Sequence, residues 1–102
     1  MMLRYSDIIK ATTDAAEVII DIEPVRGVGV ALQSFGALEA SEEISIEQMG
    51  LDKNNWEPVT ADDAPVVINS GRNRVDVLSR GTFKITKPAT TSIVGVRMWY
   101  AS

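Results

Sequence analysis

The chain has 102 residues, 45% of them hydrophobic and 24% charged, with a formal net charge of −4. That length supports one hydrophobic core and no second, and the composition is too apolar for a disordered chain. Neither cysteine nor histidine is present, which excludes a disulfide framework, thiolate or imidazole metal sites, and thiol or Ser-His catalysis.

The N-terminal stretch MMLRYSDIIK carries a charge every few residues and lacks the apolar run of a signal peptide. Apolar stretches such as Val28 to Leu32 are far too short for a bilayer span. A soluble protein made in the cytoplasm, with no membrane partner, is expected. Residues 1–16 form either a short helix with Leu3, Ile8 and Ile9 along one side or an extended arm, and residues 17–102 form the domain. Val18, Ile20 and Ile22 alternate with Glu17 and Asp21, which predicts a half-buried strand closed by Pro24. After Gly27, Val28, Val30 and Leu32 alternate with Gly29, Ala31 and Gln33, a strand whose second face is small enough for another chain segment to approach closely.

Glu43 to Met49 gives the clearest alternation, with Ile44 and Ile46 on one side and Glu43, Ser45 and Glu47 on the other. A polar turn, Asp52-Lys53-Asn54-Asn55, leads into Trp56-Glu57-Pro58-Val59, where the proline marks an edge. Val66 to Ile68 is a short apolar strand, Asn69 to Asn73 a turn, and Arg74 to Leu78 alternates again about Val75 and Val77. From Gly81, Phe83 and Ile85 face inward while the threonines and lysines through Lys87 face out, until Pro88 ends the strand. The last strand, Thr91 to Tyr100, is apolar on both faces: Val94, Val96, Met98 and Tyr100 on one, Ile93, Gly95, Arg97 and Trp99 on the other. A strand of a thin sandwich normally shows water a polar face. Either Trp99 folds over the edge of the sandwich, or one face of this strand meets another chain, and tryptophan and arginine are frequent interface anchors.

About seven to eight short strands separated by turn signals predict an all-β antiparallel sandwich, jelly-roll or immunoglobulin-like, with a short N-terminal arm or helix. Charge divides unevenly along it. Residues 1–63 hold four basic and thirteen acidic side chains, whereas residues 64–102 hold six basic ones against Asp76 alone. Cross-strand pairing of exposed charges accounts for this; the alternative is a polarity that steers neighbouring subunits together. Six positive charges without an aromatic-studded stripe make no nucleic-acid footprint.

Residues suited to chemistry are few. The carboxylates Glu42-Glu43 and Asp62-Asp63 are sequence neighbours, which an extended chain points to opposite faces or a loop leaves in solvent. Asp52 to Glu57 imitates only the start of a calcium loop, since Trp56 takes a ligand position and no acid stands at the twelfth. Gly27 and Gly29 lack the third glycine and following helix of a phosphate loop. Gly71-Arg72-Asn73-Arg74 is either a solvated hairpin tip or a grip for an anionic group. No enzyme activity, cofactor or metal is expected.

From Glu43 onward, the segments EISIEQ, NNWEPV, NSGRNRVDVL, GTFKITKPATTS and VGVRMWY follow one another. In this order they resemble small β-domains of tailed-bacteriophage virions, including head-decoration and other accessory structural proteins. The resemblance implies a non-enzymatic virion protein, present in many copies, that binds capsid or tail proteins, stabilises the particle and is often a homo-oligomer. The contact residues expected from the N-terminal segment, the arginine turn and the last strand are Leu3, Tyr5, Ile8, Ile9, Arg72, Arg74, Arg97 and Trp99. A carbohydrate-binding β-sandwich module is the alternative, although the six aromatic residues must also furnish the core.

Overall fold

The computed structural model of the chain describes residues 3–23, 29–50, 54–61 and 64–101. The strands are β1 (Leu3–Thr12), β2 (Ala16–Ile22), β3 (Val30–Phe35), β4 (Ile44–Met49), β5 (Trp56–Pro58), β6 (Thr60–Ala61), β7 (Ala64–Pro65), β8 (Val67–Ile68), β9 (Arg74–Val77), β10 (Gly81–Lys87) and β11 (Val94–Ala101). No described residue is helical. One sheet has the order β1-β11-β3-β9, and the other β2-β10-β4-β5, with β8 also pairing β4.

The antiparallel pairs are nested: β1 with β11, β2 with β10, β3 with β9, and β4 with β5 and β8. The chain is thus one long hairpin wrapped around a barrel-like core, and successive arms fall alternately in the two sheets. That is the connectivity of a jelly roll. β5 and β8 serve as one interrupted edge strand, and the β6–β7 hairpin lies between them.

The core follows from alternation. Ile22, Leu32, Ile44, Ile46, Ile68, Phe83, Ile85, Val94 and Val96 are essentially inaccessible, drawn from both sheets. Burying each such side chain contributes about 1.5–3 kcal/mol. The outer face of β2 keeps Glu17, Ile19 and Asp21 in solvent, as its alternation predicts.

Of the two readings of the N-terminal segment, short helix or extended arm, the first strand overturns the helix. Leu3 to Asp7 pair residue by residue with Ala101 to Arg97, making β1 an edge strand of the sandwich. A register shift between Asp7 and Ile9 then inserts one extra residue. Residues two apart in a regular strand share a face, but this bulge turns Ile9 inward, where it is 4% exposed, while Asp7 stays outside. The spacing of Leu3, Ile8 and Ile9 therefore arises from a bulged strand.

A second correction concerns Lys87, which is fully buried. Strand period two places it with Phe83 and Ile85 on the inward side of β10. Its ammonium donates to the Asp14 carbonyl at 2.8 Å, the Pro88 carbonyl at 3.0 Å and Thr90 Oγ1 at 3.0 Å, using all three of its protons. Burial pushes this ammonium below its usual range, opposed by the charges of Glu42 and Asp14. Beside it, Glu42 accepts from the Glu39 and Thr91 amides at 2.8 and 2.9 Å. Together the two side chains tie three loops at one end of the sandwich.

The expected cross-strand charge pairing is present. Lys84 lies within 3.6 Å of Glu17 and 3.7 Å of Glu47, Arg80 is 3.2 Å from Glu23, and Arg97 is 2.7 Å from Asp7. Each of these pairs joins the acidic first part of the chain to its basic second part. Pro24, Gly27, Val28, Asp52, Lys53, Asp62 and Asp63 lie outside the described residues, so the turn after β2 and the start of the Asp52–Glu57 segment do too.

Candidate functional site

Solvent sees two broad faces, and exposed apolar groups gather more densely on one of them: Leu3, Tyr5 and Leu78 against Ile19. The outer side of the β2-β10-β4-β5 sheet carries Glu17, Asp21 and Glu47 around Lys84, which also lies 5.0 Å from the Trp56 ring, with Ile19 as an exposed aliphatic residue. The outer side of the β1-β11-β3-β9 sheet carries aromatic, aliphatic and paired charged groups.

Strand register sets the second face out in rows. Asp7 pairs with Arg97, Arg97 with Gln33, and Gln33 with Arg74. The next row runs Tyr5, Trp99, Ala31, Asp76. The third begins Leu3, Ala101, and extending the register by two residues completes it with Gly29 and Leu78. A shallow cleft of about 280 Å³ draws its walls from Leu3, Ala31, Arg74, Asp76, Leu78 and Trp99, which places them on one side of the sheet.

The large side chains are held in place. The Tyr5 and Trp99 rings are 4.9 Å apart at 54°, and Trp99 Nε1 donates to Gln33 Oε1 at 2.8 Å. Arg97 lies over the Tyr5 ring at 4.1 Å and the Phe35 ring at 4.9 Å, and its Nε donates to Asp7 Oδ1 at 2.7 Å. The hydrogen bond to Asp7 raises its affinity for the proton, with the Asp7 charge acting in the same direction. Phe35 reaches across Gly95: a Cβ there would lie 2.4 Å from Phe35 Cζ. The stacked arginine and the tilted ring pair are fixed with little rotamer entropy left to lose, as suits an anchor. Around this braced centre, Leu3 is 63% exposed, Tyr5 52% and Leu78 75%.

Of the residues singled out in the sequence, Leu3, Tyr5, Arg74, Arg97 and Trp99 meet on this face. Ile9 is in the core, and Ile8 is half-buried against it. Arg72 sits in the exposed turn between β8 and β9, where its backbone bridges to Asn69. Trp99 lies on the broad face of the sheet, on a strand flanked by β1 and β3. Asp7, Ala31, Gln33, Asp76 and Leu78 complete the face, and sequence reasoning passed them over. The signal for Asp76 and Leu78 was available, since alternation that buries Val75 and Val77 must turn them outward. Among the described residues, no three acidic side chains converge as a metal site would require.

No family model, curated protein or solved structure matches the chain.

Proposed function

We propose that this chain is a non-enzymatic structural protein of a tailed-phage-type particle, working through contacts that the outer face of the β1-β11-β3-β9 sheet makes with other polypeptides. The observation that carries this reading is the braced centre of Tyr5, Trp99 and Arg97, ringed by the exposed Leu3 and Leu78. Apolar side chains gathered on one face, with aromatic and arginine anchors at the middle, are the arrangement of a protein interface. The virion assignment draws on the sequence pattern from Glu43 onward, and capsid or tail proteins are the partners it implies.

The test is mass spectrometry of purified particles produced by the genome that encodes the chain. The chain is expected as a stoichiometric component, lost when Trp99→Ala is introduced and kept when Ile19→Lys alters the opposite sheet. Absence from the particles sinks the virion assignment. A carbohydrate-binding module has less support, because two rings at 54° do not form the flat platform on which a sugar stacks. A glycan array with wild-type protein and Trp99→Ala separates the two readings.

A further inference from the structure

We propose that the occupant of this face is the same face of a second copy, in a two-fold dimer whose axis lies in the interface, parallel to the strands and between β11 and β3. The inference rests on reading the face as a protein-contact surface. Its own support is the self-complementarity of the grid that the strand register builds.

The sheet has an even number of strands, β1-β11-β3-β9, so such an axis sets β1 of one copy over β9 of the other, and β11 over β3. Row by row, Leu3 then meets Leu78 of the second copy, Tyr5 meets Asp76, and Asp7 meets Arg74. At the centre, Trp99 meets Ala31 and Arg97 meets Gln33. Within one chain Asp7 already binds Arg97, Arg74 lies 3.4 Å from Asp76, and Gln33 Oε1 accepts from Trp99. The cross-copy contacts therefore extend these pairs into a network: leucine on leucine, phenol on carboxylate, carboxylate on guanidinium, a large ring beside a small side chain, and guanidinium on amide oxygen. Shape agrees with chemistry. Tyr5, Trp99 and Arg97 form a ridge on β1 and β11, and the cleft runs beside it over Gly29 and Ala31, walled by Leu3 and Trp99 on one side and by Arg74, Asp76 and Leu78 on the other. Ridge enters cleft twice, as an isologous contact requires.

The other in-plane axis, perpendicular to the strands and through the middle row, fails on the same grid. It sets Asp76 on Asp76, Trp99 on Trp99, Leu3 on Asp7 and Leu78 on Arg74. Like charges and buried leucine–charge pairs disfavour it.

Four strands spaced about 4.8 Å apart and three rows deep bury on the order of 1,000 Å² over the two copies, the lower bound of specific interfaces. Association is therefore expected to depend on concentration.

Sedimentation equilibrium of the full chain, from about 1 µM to about 1 mM, tests this. The expected result is a monomer–dimer equilibrium rising from 11.1 kDa to twice that mass. Leu3 and Leu78 are exposed in the single chain, so Leu3→Lys and Leu78→Glu leave its circular dichroism unchanged. Each alone weakens the dimer about tenfold or more, because a leucine loses its burial. The double variant regains most of that loss, since each new charge then meets its opposite across the interface. Within one chain Leu3 and Leu78 stand on opposite walls of the same cleft, with β11 and β3 between β1 and β9, so the double variant's circular dichroism and melting are compared with those of the single variants. Ile19→Lys, on the opposite sheet, leaves the dimer intact. A strict monomer at the highest concentration, a mass of three or more copies, indifference to both single variants, or no rescue in the double variant would each overturn the pairing. A monomer that still enters particles removes the dimer and leaves the protein-contact reading standing.

Discussion

At the residue scale, the end of the sandwich that holds Lys87 and Glu42 shows how a buried charge is accommodated. Removing an ammonium from water is costly, and Lys87 offsets that cost only because all three protons find acceptors. Lys87→Met keeps the apolar stem and deletes the donors, leaving the Asp14 and Pro88 carbonyls and the Thr90 hydroxyl short of a partner. Urea denaturation is expected to show a loss of about 2 kcal/mol, after crediting the removed desolvation cost. Glu42 is tied to pH. Hydrogen bonds from the Glu39 amide, and then the Thr91 amide, hold its carboxyl below the ordinary value of 4.5. A carboxylate held down in the folded state adds stability that is fully present above its unfolded value and is lost as pH falls through the folded one. Glu42→Gln should therefore lower the urea midpoint at neutral pH. The gap to wild type should close as pH is taken below 4.5, and a gap that stays constant down to about pH 3 would rule out this linkage.

At the scale of the element, β1 and β11 show what a sequence displays and what it conceals. Period-two alternation exposes the faces of β2, β4, β9 and β10 directly, because each has one wet and one dry side. It even places Lys87 inward, provided that period is weighed above the usual preference of lysine for water. In β1 the bulge breaks the period, so Leu3, Ile8 and Ile9 mimic a helical face, and only pairing with β11 reveals an extended strand. The apolar outer side of β11 is visible in the sequence. Its neighbours are not, since nothing local specifies that β3 and β1 flank it, and the rows of the candidate face depend on that adjacency. Gly95 is the point where this packing is tightest: a Cβ would lie 2.7 Å from the Ile9 carbonyl oxygen and 2.9 Å from the Ala11 nitrogen, besides its clash with Phe35. The Phe35 ring can swing aside, but the bulged backbone of β1 cannot. Gly95→Ala is expected to cost about 1–3 kcal/mol in a thermal melt, and to release Phe35 from Arg97. An alanine variant as stable as wild type would mean that β1 does not lie so close.

At the scale of the whole molecule, the nested pairing decides which parts are indispensable. Leu3 pairs with Ala101, so the first ladder in sequence is the last that the chain can close. Such non-local pairing must overcome loop-closure entropy before contacts reward it, and refolding is expected in milliseconds to seconds. All-β character is legible from short alternating segments. The jelly-roll order is a property of distant pairs, and a sandwich of immunoglobulin type satisfies the same local pattern. The two ends of the chain are nonetheless unequal. β11 lies between β1 and β3 and brings Val94 and Val96 into the core, so a chain ending at residue 93 loses two ladders and leaves β1 with no partner in its sheet. It should show no cooperative unfolding transition. β1 is an edge, and cutting residues 1–7 spares Ile9 while removing Tyr5 and the Asp7–Arg97 pair. That variant should fold with a loss of about 1–3 kcal/mol and sediment as a monomer at concentrations where the full chain is dimeric. If the two truncations unfold alike, β1 is part of the folding core and its outer residues are not separable as a contact surface. If the shorter N-terminus changes neither stability nor mass, the edge strand contributes to neither.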